Sequence, residues 1–353
     1  MRLLLVLSLF FFFLIDGYSQ DTRGGDKDNN ASRSKKKIGR TLLDDSTKIM
    51  YGMNTTSYIL SSQLLEGDTN FTQVDSSLNN FEKFSIFEKK KMSFQNLGNL
   101  GTPLEDLFDR TPKLFNVSSG FNSLDSYYNV IRNNKFYNTK SPFIDLELIL
   151  GGKGRNKVDF LFTRNINKNW NIGFDIHRIA SDKQIGATKT KGDRNVNSSA
   201  FNFFLYHQSK NKKVKLFSSF LNFSHQVLGT GGVDLEIQDL PLEYFLYNDS
   251  EVRLSKVENN DKRKNYNVFF EYKLLKKFKI YANVEYYTQN ISYNDDNLSL
   301  NVIYYDSILN DNVVTADSFK LSSLRNRIGI KGSIARIEYN FYANYNLLNY
   351  KYS

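Results

Sequence analysis

Three histidines, His177, His207 and His225, are the side chains of this sequence best suited to acid–base chemistry. A lipase-type site would place one of them beside a serine, with a third residue to orient the imidazole. His225 directly follows Ser224, but neighbours on a strand point to opposite faces. His207 could meet Ser219 only in one particular strand register. All three lie in predicted strands, so we expect structural histidines with no catalytic role.

Two further patterns have the composition of binding sites without the required spacing. Gly151–Gly154 reads Gly-Gly-Lys-Gly, but it lacks the spacing and following helix of a phosphate loop, so a turn is predicted. Asp295-Asp296 and Asn310-Asp311-Asn312 fall in predicted loops, which could hold divalent cations or be simply solvated. No histidine has the tight carboxylate spacing of a metal site. We therefore assign no catalytic, cofactor-binding or metal residue, and predict no cofactor and no enzyme activity.

The N-terminus has the pattern of an export signal. An apolar run, Leu3–Ile15, follows Arg2, and small residues precede a cut after Ser19. The run has 13 residues, fewer than the roughly 18–20 that a spanning helix needs. We predict a signal peptide over residues 1–19. Residues 20–40 are rich in Asp, Gly, Asn, Ser and Lys and predict a disordered N-terminal segment.

The composition limits the classes of protein to consider. The 353 residues contain no Cys, which excludes a disulfide scaffold, a thiolate metal site and a cysteine nucleophile. The 29 Phe and 22 Tyr suit pleated strands, and the presence of only 4 Pro favours strands as well. The formal net charge is +10. We nevertheless expect no nucleic acid partner, because an exported protein seldom meets one.

Residues 141–353 show the two-residue period of strands with one apolar face. The clearest runs are Lys157–Thr163, Trp170–Ala180, Tyr266–Lys273, Phe278–Tyr286 and Ala335–Asn344. Runs of roughly 9–13 residues have the length that a tilted strand needs to cross a membrane. Residues 41–140 have weaker periodicity. There we predict short strands, at Lys48–Tyr51 and Phe81–Phe94, joined by long loops.

The predicted connections alternate between short and long. The tight turns are Asn165–Asn169, Lys210–Lys212 and Leu274–Lys277, and the long polar loops are Ser181–Ser198, Gln226–Lys262 and Gln289–Phe319. This asymmetry is typical of outer-membrane barrels, and a soluble sandwich has no reason for it. Closure is expected too, because an open sheet edge in lipid leaves backbone groups unpaired. We therefore predict an all-β fold, a transmembrane antiparallel β-barrel built from residues 141–353.

Several stretches resemble a known family more closely than a strand period requires. The most specific are LGNLGTP at Leu97–Pro103 and NTKSP at Asn138–Pro142, and others are Asp44–Lys48, Asn165–Trp170 and Gly231–Val233. In this order they look like the putative β-barrel porin family of Bacteroidota outer membranes, from about residue 41 to the C-terminus. Gly98, Gly101, Gly231 and Gly232 suit turns that need a positive φ. Pro103 and Pro142 suit strand starts.

The resemblance implies a large barrel in the cell outer membrane whose assigned function is pore formation. We expect a channel for passive diffusion of small polar solutes. The side chains expected to line its lumen include Asn267, Glu271, Lys273, Lys279, Asn283 and Glu285. The alternative is a non-conducting barrel whose long loops bind a partner or plug the lumen. Expected partners are outer-membrane lipid, lipopolysaccharide and small polar solutes, and an oligomer is left open.

Three features leave alternatives open. Trp170 directly follows a short turn and fits an aromatic girdle at a membrane interface, with ordinary strand packing as the alternative. The excess of cations can lie on rims beside anionic headgroups or line a lumen that favours anions. The chain ends at Ser353 without the terminal aromatic residue that usually closes a barrel protein, and comparable family members are longer. A barrel that is incomplete at the C-terminus is therefore an alternative to a closed one.

Overall fold

The computed structural model describes the chain from Thr55 to the C-terminus, with gaps. The described residues are 55–66, 68, 70–75, 83, 93–108, 119–186, 193–234, 250–254, 257–275, 277–296, 298, 301–305, 315–334 and 337–353. The predicted signal peptide, the predicted disordered segment and the predicted strand Lys48–Tyr51 lie outside these residues, as does most of Phe81–Phe94. No helix among the described residues is long and apolar enough to span a membrane.

The described residues between 55 and 138 form the N-terminal segment, which is built from short elements. These are β1 (Ser57–Leu60), α1 (Ser61–Glu66), β2 (Thr72–Gln73), β3 (Phe94–Asn96), β4 (Leu104–Asp106), α2 (Asp125–Arg132) and β5 (Lys135–Asn138). β1 pairs with both β2 and β5, and β3 pairs with β4. The helix α2 has Asp125 in its first turn and Arg132 in its last, which complements the helix dipole.

Nine long strands follow and form one antiparallel sheet. They are β6 (Phe143–Leu150), β7 (Asn156–Asn167), β8 (Trp170–Asp182), β9 (Arg194–Gln208), β10 (Val214–Gly229), β11 (Val257–Leu275), β12 (Phe278–Asp295), β13 (Thr315–Ile334) and β14 (Ile337–Tyr352). A short helix, α3 (Val302–Tyr305), lies between β12 and β13. The strand order follows the chain order from β6 to β14, so each strand pairs with its sequence neighbours. The predicted all-β fold and its antiparallel strands are confirmed.

The sheet has two outer strands, β6 and β14. Within the described residues no ladder joins these two strands, so a closed ring of strands is not part of the observed fold. The side chains of β14 are exposed along nearly its whole length. The predicted antiparallel architecture is therefore present, whereas the predicted closure is not observed.

The alternation of short and long connections is observed. Four short connections join strands at one end of the sheet, which we call the short-turn end. They are residues 168–169, 209–213, 276–277 and 335–336. Three long connections and one turn join strands at the opposite end, which we call the long-loop end. The long connections are residues 183–193, 230–256 and 296–314, and the turn is residues 151–155. The predicted turn at Gly151–Gly154 is confirmed, and Gly154 has a φ of 62° there.

The three long loops are shorter than predicted, because the flanking strands continue into them. β10 extends to Gly229, β11 begins at Val257, and β12 reaches Asp295. The added stretch of β11 runs from Glu258 to Asn265 and is polar or charged on both faces. A stretch without apolar residues has no two-residue hydropathy period, so the sequence pattern could not distinguish it from a loop.

The core lies between the N-terminal segment and one face of the nine-stranded sheet. Two clusters of buried side chains form it. The first combines Phe94, Tyr127 and Tyr128 with strand residues that include Val196, Phe223 and Leu321. The second combines Ile59, Leu64 and Phe136 with Phe204, Phe217 and Tyr281. Since burial of one Phe side chain contributes roughly 1.5–3 kcal/mol, these contacts hold the N-terminal segment firmly on the sheet.

Candidate functional site: the covered face of the sheet

The two faces of the nine-stranded sheet have different surroundings. The face that contacts the N-terminal segment, here called the covered face, carries alternate residues such as Phe217, Ser219 and Leu221 of β10, all buried. The intervening residues lie on the opposite face, here called the open face. Along β11, Arg263 and Asn265 are buried on the covered face, whereas Tyr266 is exposed on the open face.

A continuous apolar row crosses the open face. Each of the nine strands contributes one residue, and each residue lies directly opposite the next across a strand pair. The row consists of Ile144, Phe162, Phe174, Phe203, Phe220, Tyr266, Tyr286, Leu324 and Leu347. Nine strands without one polar residue at this level form a hydrophobic band that no part of the N-terminal segment covers. An exposed apolar band of this extent marks a surface for contact with a membrane or with another protein.

Polar residues follow the band towards the long-loop end. On β11 the open face changes from Tyr266 to Lys264 and Lys262, and on β12 from Tyr286 to Thr288 and Asn290. The same strands are apolar on the open face from this level to the short-turn end. On β11 and β12 the open face therefore has one apolar zone and one polar zone.

The LGNLGTP stretch of the N-terminal segment docks on the covered face through polar contacts. Asn99 Nδ2 donates to Asn195 Oδ1 at 2.9 Å and to the Asp182 carbonyl at 2.9 Å. Ser181 Oγ donates to the Leu100 carbonyl at 2.8 Å. Gly101 has a φ of +84°, and a Cβ at this position would lie 2.7 Å from Val196 Cγ1. Glycine is therefore required at residue 101 by both its backbone conformation and its close approach to β9.

His225 holds the same stretch in place. Its Nε2 lies 2.8 Å from the Gly101 carbonyl oxygen, which can only accept, so Nε2 carries the proton. Its Nδ1 lies 2.8 Å from Ser198 Oγ, which donates to it in the neutral tautomer. The imidazole is completely buried, and its ring centroid lies 5.0 Å from that of Tyr127. This environment is that of a structural histidine with no solvent access.

His207 is likewise remote from the geometry of a hydrolase. His207 is on the open face, where its ring centroid lies 4.0 Å from that of Trp170. The register places His207 opposite Leu216, while Ser219 is on the covered face opposite Phe204, so His207 and Ser219 do not meet. Trp170 is the first residue of β8 and directly follows a short turn. It lies opposite His207, so it is on the open face as well.

An arginine of β11 connects the sheet to helix α2. Arg263 Nη2 lies 2.5 Å from Asp261 Oδ2, and Arg263 Nη1 lies 2.6 Å from Asp125 Oδ1 of α2. Its guanidinium carbon lies 4.8 Å from the centroid of the Tyr128 ring, a cation–π distance. Arg263 is 3% exposed, so its charge depends on these partners. Burial raises the pKa of Asp125, and the neighbouring Arg263 only partly opposes this shift.

A second ionic group forms around Glu285 of β12. Its Oε1 accepts from Arg132 Nη2 of α2 at 2.7 Å and from Asn265 Nδ2 at 2.6 Å, and Oε2 lies 3.3 Å from Arg325 Nη1. Burial alone would lower the pKa of Arg132, but the Glu285 carboxylate raises it, so the guanidinium stays charged. Three arginines and three carboxylates make up the two groups, and their formal charges cancel. We call them the ionic latch, defined by Asp125, Arg132, Asp261, Arg263, Glu285 and Arg325.

A third charged group lies on β6, β7 and β8. Lys157 Nζ lies 2.8 Å from both Glu147 Oε1 and Asp159 Oδ2. His177 Nδ1 lies 2.7 Å from Asp159 Oδ1, and His177 Nε2 lies 3.4 Å from Asp175 Oδ2. The group therefore contains more acids than bases and is only partly buried. Among the described residues, no cluster has the geometry of a metal site.

The polar residues predicted to face a lumen all lie on the covered face. Glu271, Asn283 and Glu285 are buried, and Lys273 and Lys279 are half-buried. The face is therefore as predicted, but the side chains of Glu271, Asn283 and Glu285 are packed under protein instead of lining an open space. Aromatic residues that were not predicted there, Phe204, Phe217, Phe269 and Tyr281, share the same face.

Only one of the two predicted loop positions for divalent cations lies within the described residues. Asp295 lies at the end of β12, is fully buried and accepts from Asn301 Nδ2 at 2.8 Å, so the prediction of a loop position was wrong. Residues 310–312 lie outside the described residues. The four glycines predicted to need a positive φ have φ between 64° and 87°. Pro103 and Pro142 directly precede β4 and β6, as predicted.

Sequence reasoning missed the ionic latch. Its partners Arg132 and Glu285 are 153 residues apart, and no local pattern links them. Asp261 and Arg263 did carry a signal, because residues two apart on a strand share a face. Asp261 was not linked to Arg263 because Asp261 lies in the predicted loop Gln226–Lys262, whereas Arg263 lies beyond it.

Comparisons with known proteins identify one family and several distant structural likenesses. The family model described as "Putative porin" matches residues 57–353. The FrpB iron transporter from Neisseria meningitidis (F3-3 variant) matches with a TM-score of 0.39 and 12% identity, over 60% of this chain and 30% of that chain. The ferric-catecholate import receptor Fiu from Escherichia coli K12 matches with a TM-score of 0.41 and 10% identity, over 60% of this chain and 32% of that chain.

This chain thus spans 30–32% of the length of those two structures. No curated protein matches it. The family match covers every strand of the nine-stranded sheet and nearly all of the N-terminal segment. The chain belongs to the family of proteins described as putative porins.

Proposed function

We propose that the chain forms the wall of an outer-membrane β-barrel and works as a channel for passive diffusion of small polar solutes. In this proposal the open face contacts lipid and the covered face contacts the lumen. The chain has no enzymatic role and binds no nucleic acid. Its partners are outer-membrane lipid, lipopolysaccharide and the solutes themselves.

The apolar row from Ile144 to Leu347 is the observation that carries the proposal. A membrane strand needs lipid-facing apolar residues on alternate positions, and all nine strands supply one at the same level. Charged residues such as Glu271, Arg263 and Lys331 lie on the opposite face. Ionisable residues in membrane segments are expected to face the interior of a bundle or barrel. Trp170, on the open face at the short-turn end, suits the aromatic girdle at the periplasmic interface.

A second candidate function is a barrel that does not conduct. The N-terminal segment favours it, because this segment packs over the covered face of β8 to β13. Buried side chains and the ionic latch fill the space in which a solute would pass along these strands. A channel would then need either a path beside the N-terminal segment or its displacement.

Single-channel recording separates the two candidates. The chain without residues 1–19 is refolded into detergent, checked for a heat-dependent shift on gels, and added to planar bilayers. Discrete current steps that scale with salt concentration are expected for the channel. A chain that shows the heat-dependent shift but no current steps would contradict the channel and support the non-conducting barrel.

A substitution on the lipid-facing row is the matched control for insertion. Phe203→Lys places a cation in the middle of the apolar row and should reduce the number of insertion events. Asn197→Lys lies on the same strand and face, beyond the row, and should insert like the unaltered chain. Equal insertion of both variants would argue against lipid contact at the open face.

A further inference from the structure

A row of lysines crosses three neighbouring strands on the covered face. Lys273 of β11 lies directly opposite Lys279 of β12, and Lys279 lies directly opposite Lys331 of β13. Residues directly opposite on antiparallel strands have Cβ atoms about 5 Å apart, and like charges in these positions destabilise a sheet. The row is adjacent to the short β11–β12 turn and so lies at the short-turn end.

The lysine row has few carboxylates around it. Glu271 Oε2 lies 2.6 Å from Lys331 Nζ, and Glu271 Oε1 lies 3.8 Å from Lys279 Nζ. Asp68 of the N-terminal segment also interacts electrostatically with Lys331. Within the described residues, Lys273 has no carboxylate at ion-pair distance.

Lys215 of β10 adds a fourth ammonium group to the cluster. It lies directly opposite Glu271 and shares the covered face with it, and it interacts with the three lysines of the row. Four lysines therefore accompany two carboxylates, Glu271 and Asp68, which leaves a formal charge of +2 (4 − 2). Such an excess costs folding energy unless a counter-ion occupies the cluster.

The four lysines have different surroundings. Lys331 is 4% exposed, and its ammonium lies 5.2 Å from the Phe269 ring centroid and 5.1 Å from that of Tyr281. Glu271 and these two rings surround Lys331, which is a packed structural residue. Lys279 is 23% exposed, and Lys273 is half-buried, so these two keep donors for a ligand.

We propose that the lysine row binds a multivalent oxyanion, a phosphate or polycarboxylate group, at the short-turn end of the covered face. Lysine ammonium groups donate charge-assisted hydrogen bonds to such oxygens. The inference rests on the proposed channel, because it names the class of solute that the channel favours. The anion is a free solute and not a lipid headgroup, since the row lies on the face opposite the apolar open face.

Phosphate binding to the refolded chain tests the inference without any need for conduction. Isothermal titration with inorganic phosphate, at constant ionic strength, is carried out on the full chain and on Lys273→Gln, Lys279→Gln and Lys264→Gln. Lys264 is on the same strand as Lys273 but on the open face, and it serves as the control. We expect Lys273→Gln and Lys279→Gln each to weaken phosphate binding about tenfold. Lys264→Gln should bind phosphate like the unaltered chain.

The thermal transition of the chain in detergent gives an independent readout. Without phosphate, Lys273→Gln should unfold at the same temperature as the unaltered chain or above it, because the substitution removes a like-charge repulsion. Phosphate should raise the transition of the unaltered chain and have less effect on Lys273→Gln. A lower transition for Lys273→Gln without phosphate, or equal loss of binding in Lys264→Gln, would overturn the proposed site.

Failure of the site and failure of the channel give different results. A folded chain that binds phosphate but carries no current would support the anion site and contradict the proposed channel. A chain that conducts, yet binds no phosphate and shows no preference for it in a phosphate gradient, keeps the channel and loses the anion site.

Discussion

Arg132, in the last turn of α2, donates from both Nε and Nη2 to Glu285 Oε1 of β12, at 3.1 and 2.7 Å. This pair ties a helix of the N-terminal segment to the middle of a long strand. Glu285 is not paired with Arg132 alone, because it also binds Asn265 and Arg325. The docking of the N-terminal segment thus depends on charge as well as on apolar packing.

Replacing Arg132 should loosen the N-terminal segment. Arg132→Met leaves Glu285 with Arg325 and Asn265, so we expect a loss of about 1–3 kcal/mol, less than for a fully unpaired buried charge. Limited proteolysis of the refolded chain should cut the N-terminal segment faster. Arg327→Met is the matched control, since Arg327 donates to Asn344 and lies over the ring of Tyr342, both on β14. Similar cleavage rates in both variants would contradict a role for the latch in docking.

The two glycines of the LGNLGTP stretch offer a matched comparison. Gly98 and Gly101 both have a φ of +84°, but only a Cβ at residue 101 would meet another residue, at 2.7 Å from Val196. Gly101→Ala should therefore destabilise the protein by about 1–3 kcal/mol more than Gly98→Ala, because overpacking adds to the same backbone strain. Denaturant unfolding in micelles measures the difference. Equal losses would show that LGNLGTP does not dock tightly on β9.

The cost in folding free energy of a charged residue on the open face should depend on its depth in the membrane. Phe203→Lys should cost about 2–4 kcal/mol of folding free energy in lipid vesicles, while Ser199→Lys, four residues towards the long-loop end of β9, should cost about 0–1 kcal/mol. The one tryptophan, Trp170, reports folding by its fluorescence. Phe203→Leu controls for loss of the aromatic ring. A cost for Ser199→Lys as large as that for Phe203→Lys would contradict the position of the apolar row.

Docking of α2 should depend on pH through Asp125. Because burial raises the pKa of this carboxyl above 3.8, the folded state binds the proton more tightly than the unfolded state. The resulting stability is fully present below pH 3.8 and is lost as the pH rises through the higher folded-state value. Asp125→Asn should flatten this part of the pH profile in proteolysis of the N-terminal segment, since Arg263 keeps Asp261 as a partner. Glu105→Gln, on β4, removes a carboxyl group from another element of the N-terminal segment and serves as the matched control.

The sequence predicted what depends on local pattern. Tyr266, Val268 and Phe270 alternate with Asn267 and Glu271, and the structure places the two sets on opposite faces of β11. The pattern was silent where both faces are polar, as from Glu258 to Asn265. It was also silent about register, which decides that His207 and Ser219 lie apart.

The covered face could not be predicted for a different reason. Alternation shows that Asn283 and Glu285 share a side of β12, but it cannot show what lies over them. That cover comes from residues more than 100 positions earlier, such as Arg132. Long-range packing of this kind follows from the complete fold and not from a local period.

The lengths of the central strands have a mechanical consequence. β11 has 19 residues and β12 has 18, which at about 3.4 Å per residue and a tilt of roughly 40° give a rise of about 45–50 Å. A lipid-facing band is only about 25 Å tall. In the proposed placement the polar half of these strands extends beyond the bilayer as a continuous hydrogen-bonded sheet. The long loops would then be attached to this extension, above the membrane surface. Large molecules that approach the membrane would meet the long loops before the lipid.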